Sequence, residues 1–485
     1  MTRAVVVCLA LLIYAVLSMD LITDSQGLVV YTLLLLGYLS VEFKNLWGRE
    51  TDLFWINPVV LASVVTFAMA FGVTNVLYFM PEDMVFLVGL EPIATPWMNH
   101  LMLLVVLAAC AMWAGYWSPA GRGIALALQQ SDLVRSLVRK NLRVRMWAIF
   151  ACLGISLLVK LVTIWLGIYG YSSTYERLVE LAPYRAYLSM AGDLGSWALV
   201  GMALQYYSQD NIAKNGRSLL AGILTYETAF GFLSGFKSAV VMPFLIVGFA
   251  YYSQRNRFPR WLLPTIVVAL FAAYTVIEPF RAALPSKHAE YIGTSVGSIL
   301  TAMTSDSSMG TDDGGEGASI GLQVLARVNQ TYVASLGIEY AANSELPEGS
   351  PAFLDDIFLA PAHAVIPRLL WESKPMQTTG SWYTHQVMGD RESETSTGMS
   401  AVTYLNFAGG PLAVILGFLI VGIFQRGLFD GLRHLGGGGL FVLFGLLGML
   451  VIIDSAFNAF IGGIIRLPPI LVLAQYVLLQ RPPRS

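Results

Sequence analysis

Long apolar runs separated by short polar links dominate the pattern of this chain. A helix needs roughly 20 apolar residues to cross a hydrocarbon layer, where every backbone N–H and C=O must be satisfied within the helix itself. Against that requirement the runs predict twelve helical spans, near residues 4–19, 27–41, 57–79, 99–117, 146–169, 191–208, 218–234, 238–252, 262–279, 406–425, 440–457 and 464–480. Several are shorter than the requirement. The first resembles a secretory leader after Arg3, but no small-residue cleavage site follows and Asp20 leads straight into the second run, so it reads as a span.

Residues 280–405 break the rhythm. A Ser/Gly/Asp stretch from Ser305 to Gly317 reads as a flexible excursion. Beyond it, Ile320, Val324, Val328 and Leu336 recur at helical spacing and predict one amphipathic helix over 319–342 bearing Arg327. Pro347, Pro351, Pro361, Pro367 and Pro375 then interrupt the chain, while Phe353, Phe358, Trp371 and Trp382 keep it apolar enough to pack down on a membrane. The expected fold is an all-α polytopic integral membrane protein. Residues 1–279 hold spans one to nine, 280–405 form a long loop with short helices, and 406–485 hold spans ten to twelve; no internal repeat is visible.

Composition agrees with the pattern. Charged residues make up 12% and the mean hydropathy is +0.64, whereas soluble domains carry roughly twice that charge, so water is not the main solvent. A net charge of -2 without a long basic stripe argues against a nucleic-acid partner. Cys8, Cys110 and Cys152 all fall in apolar runs, so none is set for an outer disulfide and the redox compartment stays undecided. Lys44, Arg49, Arg122, Arg135, Arg139, Lys140, Arg143, Arg145, Lys214, Arg217, Arg255, Arg257, Arg260, Arg426, Arg433, Arg481 and Arg484 occupy alternate links. The links after spans one and three hold Asp20, Asp24, Glu82, Asp83 and Glu91 but no Lys or Arg. This bias predicts cytoplasmic termini and an outward-facing 280–405 segment.

The outer segment has fourteen Asp and Glu against six Lys and Arg, and solvation accounts for most of those acids. The outward cations are fewer and more specifically set. Lys160 lies within span five, where a charge is costly, so it either faces a cavity or snorkels to the headgroups. Arg177 and Arg185, eight residues apart, fall near two helical turns and either share a ligand face or meet headgroups and acids. Lys237 lies in the tight Ser234-Gly235-Phe236-Lys237-Ser238 link, where Gly235 admits a close approach and the serines can donate to an anion. Arg281 caps span nine. Together they outline an anion site suited to a lipid phosphate or diphosphate. No P-loop, GxSxG, HExxH, zinc spacing or dinucleotide fingerprint occurs, and no cofactor is called for.

Three stretches carry a family resemblance: Gly231-Phe232-Leu233-Ser234-Gly235-Phe236-Lys237-Ser238, Ile366-Pro367-Arg368-Leu369-Leu370-Trp371-Glu372-Ser373-Lys374-Pro375, and Tyr404-Leu405-Asn406-Phe407-Ala408-Gly409-Gly410. Their order and the span layout resemble the O-antigen polymerase (Wzy-type) family. The chain departs from it at Ala401 and Val402, where similar proteins often carry a glutamate. The resemblance implies a GT-C-like glycosyltransferase joining oligosaccharide repeat units carried on undecaprenyl diphosphate, at the outer face of the inner membrane. Membrane lipids, a chain-length regulator and a flippase would be its partners. It implies that Arg327 and Arg368, with Lys237 and Arg281, hold the diphosphate at the reaction centre, with Arg177, Arg185, Lys160 and Lys374 around it and no metal required. The base is then His385, Glu372, Asp355 or Asp356, with His363 behind them. Trp371, Trp382 and Tyr383 stack on sugars or anchor the segment at the interface. Three other readings stand beside it: an O-antigen ligase using the same donor, a secondary transporter or flippase, and a non-catalytic assembly subunit. The absence of visible repeat halves counts against the transporter.

Overall fold

A backbone segment with few polar side chains to bond must satisfy its own amides, and each apolar run accordingly folds as a helix. The computed structural model describes residues 2–49, 52–80, 94–170, 177, 180–208, 214–283, 320–371, 374, 379–391, 397–453 and 457–480. Among them the regular structure is helical apart from one isolated bridge, Val144 to Leu479. The first half comprises α1 (Thr2–Ser18), α2 (Asp24–Trp47), α3 (Pro58–Ala62), α4 (Pro96–Trp117), α5 (Pro119–Gln130), α6 (Asp132–Leu137) and α7 (Met146–Trp165). Helix α3 runs on through a wide turn to Met69 and a tight one over Val73–Phe79. Then follow α8 (Ala182–Gly192), α9 (Leu194–Ser208), α10 (Lys214–Leu233), α11 (Lys237–Arg255) and α12 (Leu262–Ala283). The remainder holds α13 (Ile320–Val328), α14 (Thr331–Asn343), α15 (Phe353–Val365), α16 (Thr379–Trp382), α17 (Ala401–Arg433), α18 (Gly437–Val451) and α19 (Phe457–Leu478).

Helices α1–α4, α7, α9–α12 and α17–α19 coincide with the twelve apolar runs. Among the described residues six segments are long and apolar enough to cross a membrane: Asp24–Trp47, Pro58–Phe79, Pro96–Trp117, Met146–Trp165, Ala401–Arg433 and Phe457–Leu478. The chain is therefore an all-helical membrane protein. Local sequence fixes several starts. Thr23 and Gln26 close a capping box before α2, and Asn57, Thr95 and Ser118 each cap a helix whose first residue is proline.

Helix α4 is the axis of the core, with most of its residues buried. Helix α17 lies against it so closely that a Cβ at Gly422 would run into the Met112 carbonyl, and one at Gly115 into that of Leu419. Helices α1, α2 and α14 pack around the same axis, while α7, α9, α10, α11 and α12 form a neighbouring group joined to it through α18 and α19. Polar pins lock the core: Asn57 donates to the Tyr116 hydroxyl at 2.6 Å and Trp113 to Ser63 at 3.0 Å.

The two ends of the bundle differ. At one, Arg3 pairs with Glu42, Gln129 bonds the Asp430 carbonyl, Asn256 reaches Asp52, and the Gly437 amide bonds the Lys140 carbonyl. The links rich in Lys and Arg thus converge there. Helices α13 and α14 pack on the opposite end, where Asn329, between them, is buried among Thr74, Asn75 and Tyr78.

Three expectations change. The single helix over 319–342 is two, because the Asn329 side chain turns inward to these partners and its oxygen accepts from the Thr331 amide. Pro361 does not interrupt the chain: α15 runs through it, held along α19 where Gly462 faces Ala360 and Ala364. Helix α17 starts at Ala401, not 406, capped by Ser400, and breaks within at Gly409-Gly410-Pro411, where Gly410 has a φ of 64°.

Candidate functional site

Helix α15 begins with Asp355 and Asp356, whose charges suit a helix N-terminus. Phe353 ahead of them is stacked on Phe407 at 5.0 Å, and its carbonyl accepts from the Tyr404 hydroxyl, which fixes the helix on the first half of α17. Asp356 and His363 lie seven residues apart, two turns along one face. The chain then doubles back through the Arg368–Leu370 turn, so Trp371 lies 5.1 Å from the His363 ring and Lys374 caps the end of α15, donating to the carbonyls of His363 and Ile366. Arg466 on α19 adds a further cation within electrostatic range of Lys374.

The charges perturb one another. Burial and then Lys374 push the His363 imidazole below its ordinary range, with Arg368 acting in the same sense and Asp356 opposing. Burial pushes the Asp356 carboxyl up, with Asp355 adding and His363 opposing. Burial, Arg368 and Arg466 lower Lys374. The His363 imidazole is thus biased toward its neutral form beside Lys374 and Arg368, and its buried Nε2 makes no hydrogen bond.

A second cluster adjoins it. Lys160 is buried in α7 and its Nζ lies 2.9 Å from Oε1 of Glu227 on α10, above the rings of Tyr226 and Phe230 at 4.6 and 5.0 Å. Ser196 donates to the other Glu227 oxygen at 2.8 Å, and Tyr226 donates to Ser156. A Cβ at Gly195 would collide with Oε1, so the carboxylate's seat depends on that glycine. Asp193 lies within range of Lys160, Glu227 and Arg466, which connects the two clusters, and α8 bridges them by packing on both α7 and the Arg368–Leu370 turn.

The structure thus brings together Arg368, Trp371, Lys374, Asp355, Asp356 and His363, with Lys160 behind them. Lys160 is paired with Glu227, and that buried contact by itself accounts for its place in the helix. Arg185 lies exposed on α8, near the turn. Arg177 is exposed and pairs with Glu180 at 2.8 Å, the ordinary reading of that position. Lys237 opens α11 beside the Ser234-Gly235 turn. Gly235 there has a φ of 70°, but the close approach comes from the Gly170 backbone against the Ser234 carbonyl, and Ser234 spends its hydroxyl on the turn.

Arg327 lies apart, in the last turn of α13, which packs against Val73–Phe79. Trp382 and Tyr383 serve as core: Trp382 packs edge-on against Phe353 and Phe407, and Tyr383 is fully buried with its hydroxyl on the Val333 carbonyl. Of the three aromatic candidates, Trp371 is the one beside the charged cluster. His385 lies in the half-buried turn after Tyr383. Glu372 and the Arg281 side chain lie outside the described residues. Among the described residues no group of His, Cys, Asp and Glu is arranged to hold a metal.

Sequence reasoning missed Glu227, Asp193 and Arg466. The signal was available, because each is an ionisable residue in or at the edge of an apolar run, the test that singled out Lys160. A cavity of about 640 Å3 at the same end, lined by Tyr14, Asp20, Asp24, Trp97, Asn99 and His100, contains no Lys or Arg and does not suit a diphosphate.

Residues 156–465 match a protein family described as a domain of unknown function (DUF8712). No curated protein and no solved structure matches the chain.

Proposed function

Since the chain belongs to the DUF8712 family, a domain of unknown function, its activity has to be read from its own residues, and we propose that it is a membrane glycosyltransferase. On this reading it polymerises oligosaccharide repeat units carried on undecaprenyl diphosphate, at the outer face of a bacterial inner membrane, with twelve spans and cytoplasmic termini. The observation that supports it most is the meeting of Arg368, Lys374 and Arg466 with His363, Asp356 and Trp371 at the end of the bundle opposite the basic links. A polyprenyl diphosphate already carries its own leaving group. The enzyme must hold that charge, orient the acceptor hydroxyl and take up its proton.

Arg368 and Arg466 supply forked donors to the diphosphate and Lys374 a point charge. These cations stabilise the diphosphate as it leaves the anomeric carbon. His363, its imidazole held toward the neutral form, accepts the proton of the attacking sugar hydroxyl. Trp371 offers a face to the sugar ring. The Lys160–Glu227 pair fixes α7 to α10 behind the site.

The test is complementation of cells lacking the chain with wild type, Arg368→Gln, Arg466→Gln or His363→Gln, each checked for membrane abundance. Polysaccharide is then resolved on a gel. Accumulation of single repeat units with normally abundant variants is expected. Long chains held on the carrier lipid would instead assign a ligase, which uses the same donor. Unchanged polysaccharide would exclude both.

A further inference from the structure

At the basic end of the bundle, far from Arg368, three arginines from separate parts of the chain line one cavity of about 440 Å3: Arg3 on α1, Arg49 just beyond α2 and Arg122 on α5. The cavity also contains the Glu42 carboxylate, and that group has nothing left to give. Arg3 bonds both its oxygens, at 2.7 and 3.2 Å, the Tyr38 hydroxyl donates at 3.1 Å and the Trp117 indole at 3.2 Å. One arginine charge is thereby balanced, and Arg49 and Arg122 leave the lining with a surplus of two. Arg49 lies over the Trp117 ring at 4.9 Å, which fixes its position on the cavity wall.

The surroundings indicate what anion would fill it. Helix α1, which supplies Thr2 and Arg3 to the cavity, exposes Val5, Leu9 and Leu12 as an apolar stripe on its outward face, each at least 43% accessible, so the cavity opens beside a helix whose free surface suits acyl chains. A soluble anion would have no use for that stripe. We propose that this cavity binds the headgroup of an anionic phospholipid, with its phosphates on Arg49 and Arg122. A lipid with two phosphates, of the cardiolipin type, matches the surplus of two charges. The site is independent of the proposed glycosyl transfer, since none of its residues touches the Arg368 cluster.

The test is native mass spectrometry of the full chain in neutral detergent, titrated separately with cardiolipin, phosphatidylcholine and inorganic phosphate. Cardiolipin is expected to stay bound where phosphatidylcholine does not. The Arg49→Gln/Arg122→Gln variant should bind it about thirtyfold more weakly, and Arg49→Lys/Arg122→Lys should fall between. Equal unfolding transitions in lipid-free detergent certify the fold, and Arg122→Gln alone, on an exposed helix position, serves if the pair does not fold. Equal retention of phosphatidylcholine, or undiminished cardiolipin binding by a folded variant, would overturn the proposal. Displacement of cardiolipin by inorganic phosphate at equal phosphate concentration would also overturn it, assigning the cavity to a free anion.

Discussion

The buried pair of Lys160 and Glu227 decides whether an intramembrane lysine here serves substrate or scaffold. Both side chains are nearly inaccessible, at 10% and 7%, and the charges meet at 2.9 Å. Removing one partner's charge leaves the other unbalanced: Glu227→Gln leaves the ammonium with a neutral amide oxygen, two rings and the more distant Asp193, and Lys160→Met leaves the carboxylate with the Ser196 hydroxyl. Breaking a buried pair in this way costs about 3–5 kcal/mol, whereas replacing both partners removes the desolvation penalty along with the attraction. Each single variant should therefore lose about 3–5 kcal/mol while Lys160→Met/Glu227→Gln lies within about 2 kcal/mol of wild type, a coupling of several kcal/mol. Reversible unfolding in mixed micelles, followed by tryptophan fluorescence, measures the cycle. Additive losses in the double variant would refute the scaffold argument. If the stable double variant loses polymerisation, Lys160 returns to the diphosphate.

Further outcomes follow from the same geometry. Lys374→Met removes a cation acting on His363, so the imidazole, followed by its proton resonances, should titrate higher yet stay below its ordinary range, because burial is the larger cause. With its pKa depressed in the folded state, His363 contributes stability that is fully present above the ordinary imidazole value and lost as pH falls through the folded value; Lys374→Met narrows that window. Asp356 has the opposite sign: its raised carboxyl loses stability as pH rises above the ordinary aspartate value, so Asp356→Asn should be neutral or stabilising at pH 7 by thermal unfolding. Gly422→Ala, which drives a methyl into the Met112 carbonyl, should cost about 1–3 kcal/mol, while Gly123→Ala, with open space around it on α5, should not destabilise. Equal behaviour of the two glycines in unfolding would refute the close α4–α17 crossing.

The apolar runs were legible because helix length and hydropathy are local properties, and each coincides with helical structure among the described residues, though ends such as Ala401, Arg433 and Phe457 lie five to eight residues from where the hydropathy placed them. What escaped the sequence was pairing across distance. The periodicity of 319–342 gives no hint that Asn329 plugs a polar gap between Thr74 and Tyr78, about 250 positions away, and so the break at that residue stayed hidden. Trp382 and Tyr383 looked like surface aromatics in a proline-broken loop, because nothing local says that Phe353 and Phe407 close around the first and that Val333 receives the hydroxyl of the second.

The same limit explains the charges. A lone lysine in an apolar run poses two alternatives, cavity or snorkel, and only its partner resolves them. Glu227 is sixty-seven positions from Lys160, yet both are ionisable groups in apolar helices of opposite sign, and a membrane interior leaves such groups little choice but each other. Reading intramembrane charges as a set of opposite signs to be matched would have paired Lys160 with Glu227 from the sequence. On the proposed function, Arg466 is then the intramembrane cation that contributes to the diphosphate site. Its range of influence takes in both Lys374 and Asp193, so if the proposed function holds Arg466→Gln should abolish polymerisation at normal membrane abundance, whereas Arg177→Gln, already paired with Glu180, should leave it unchanged. Equal activity of the two variants would detach the cationic cluster from the chemistry.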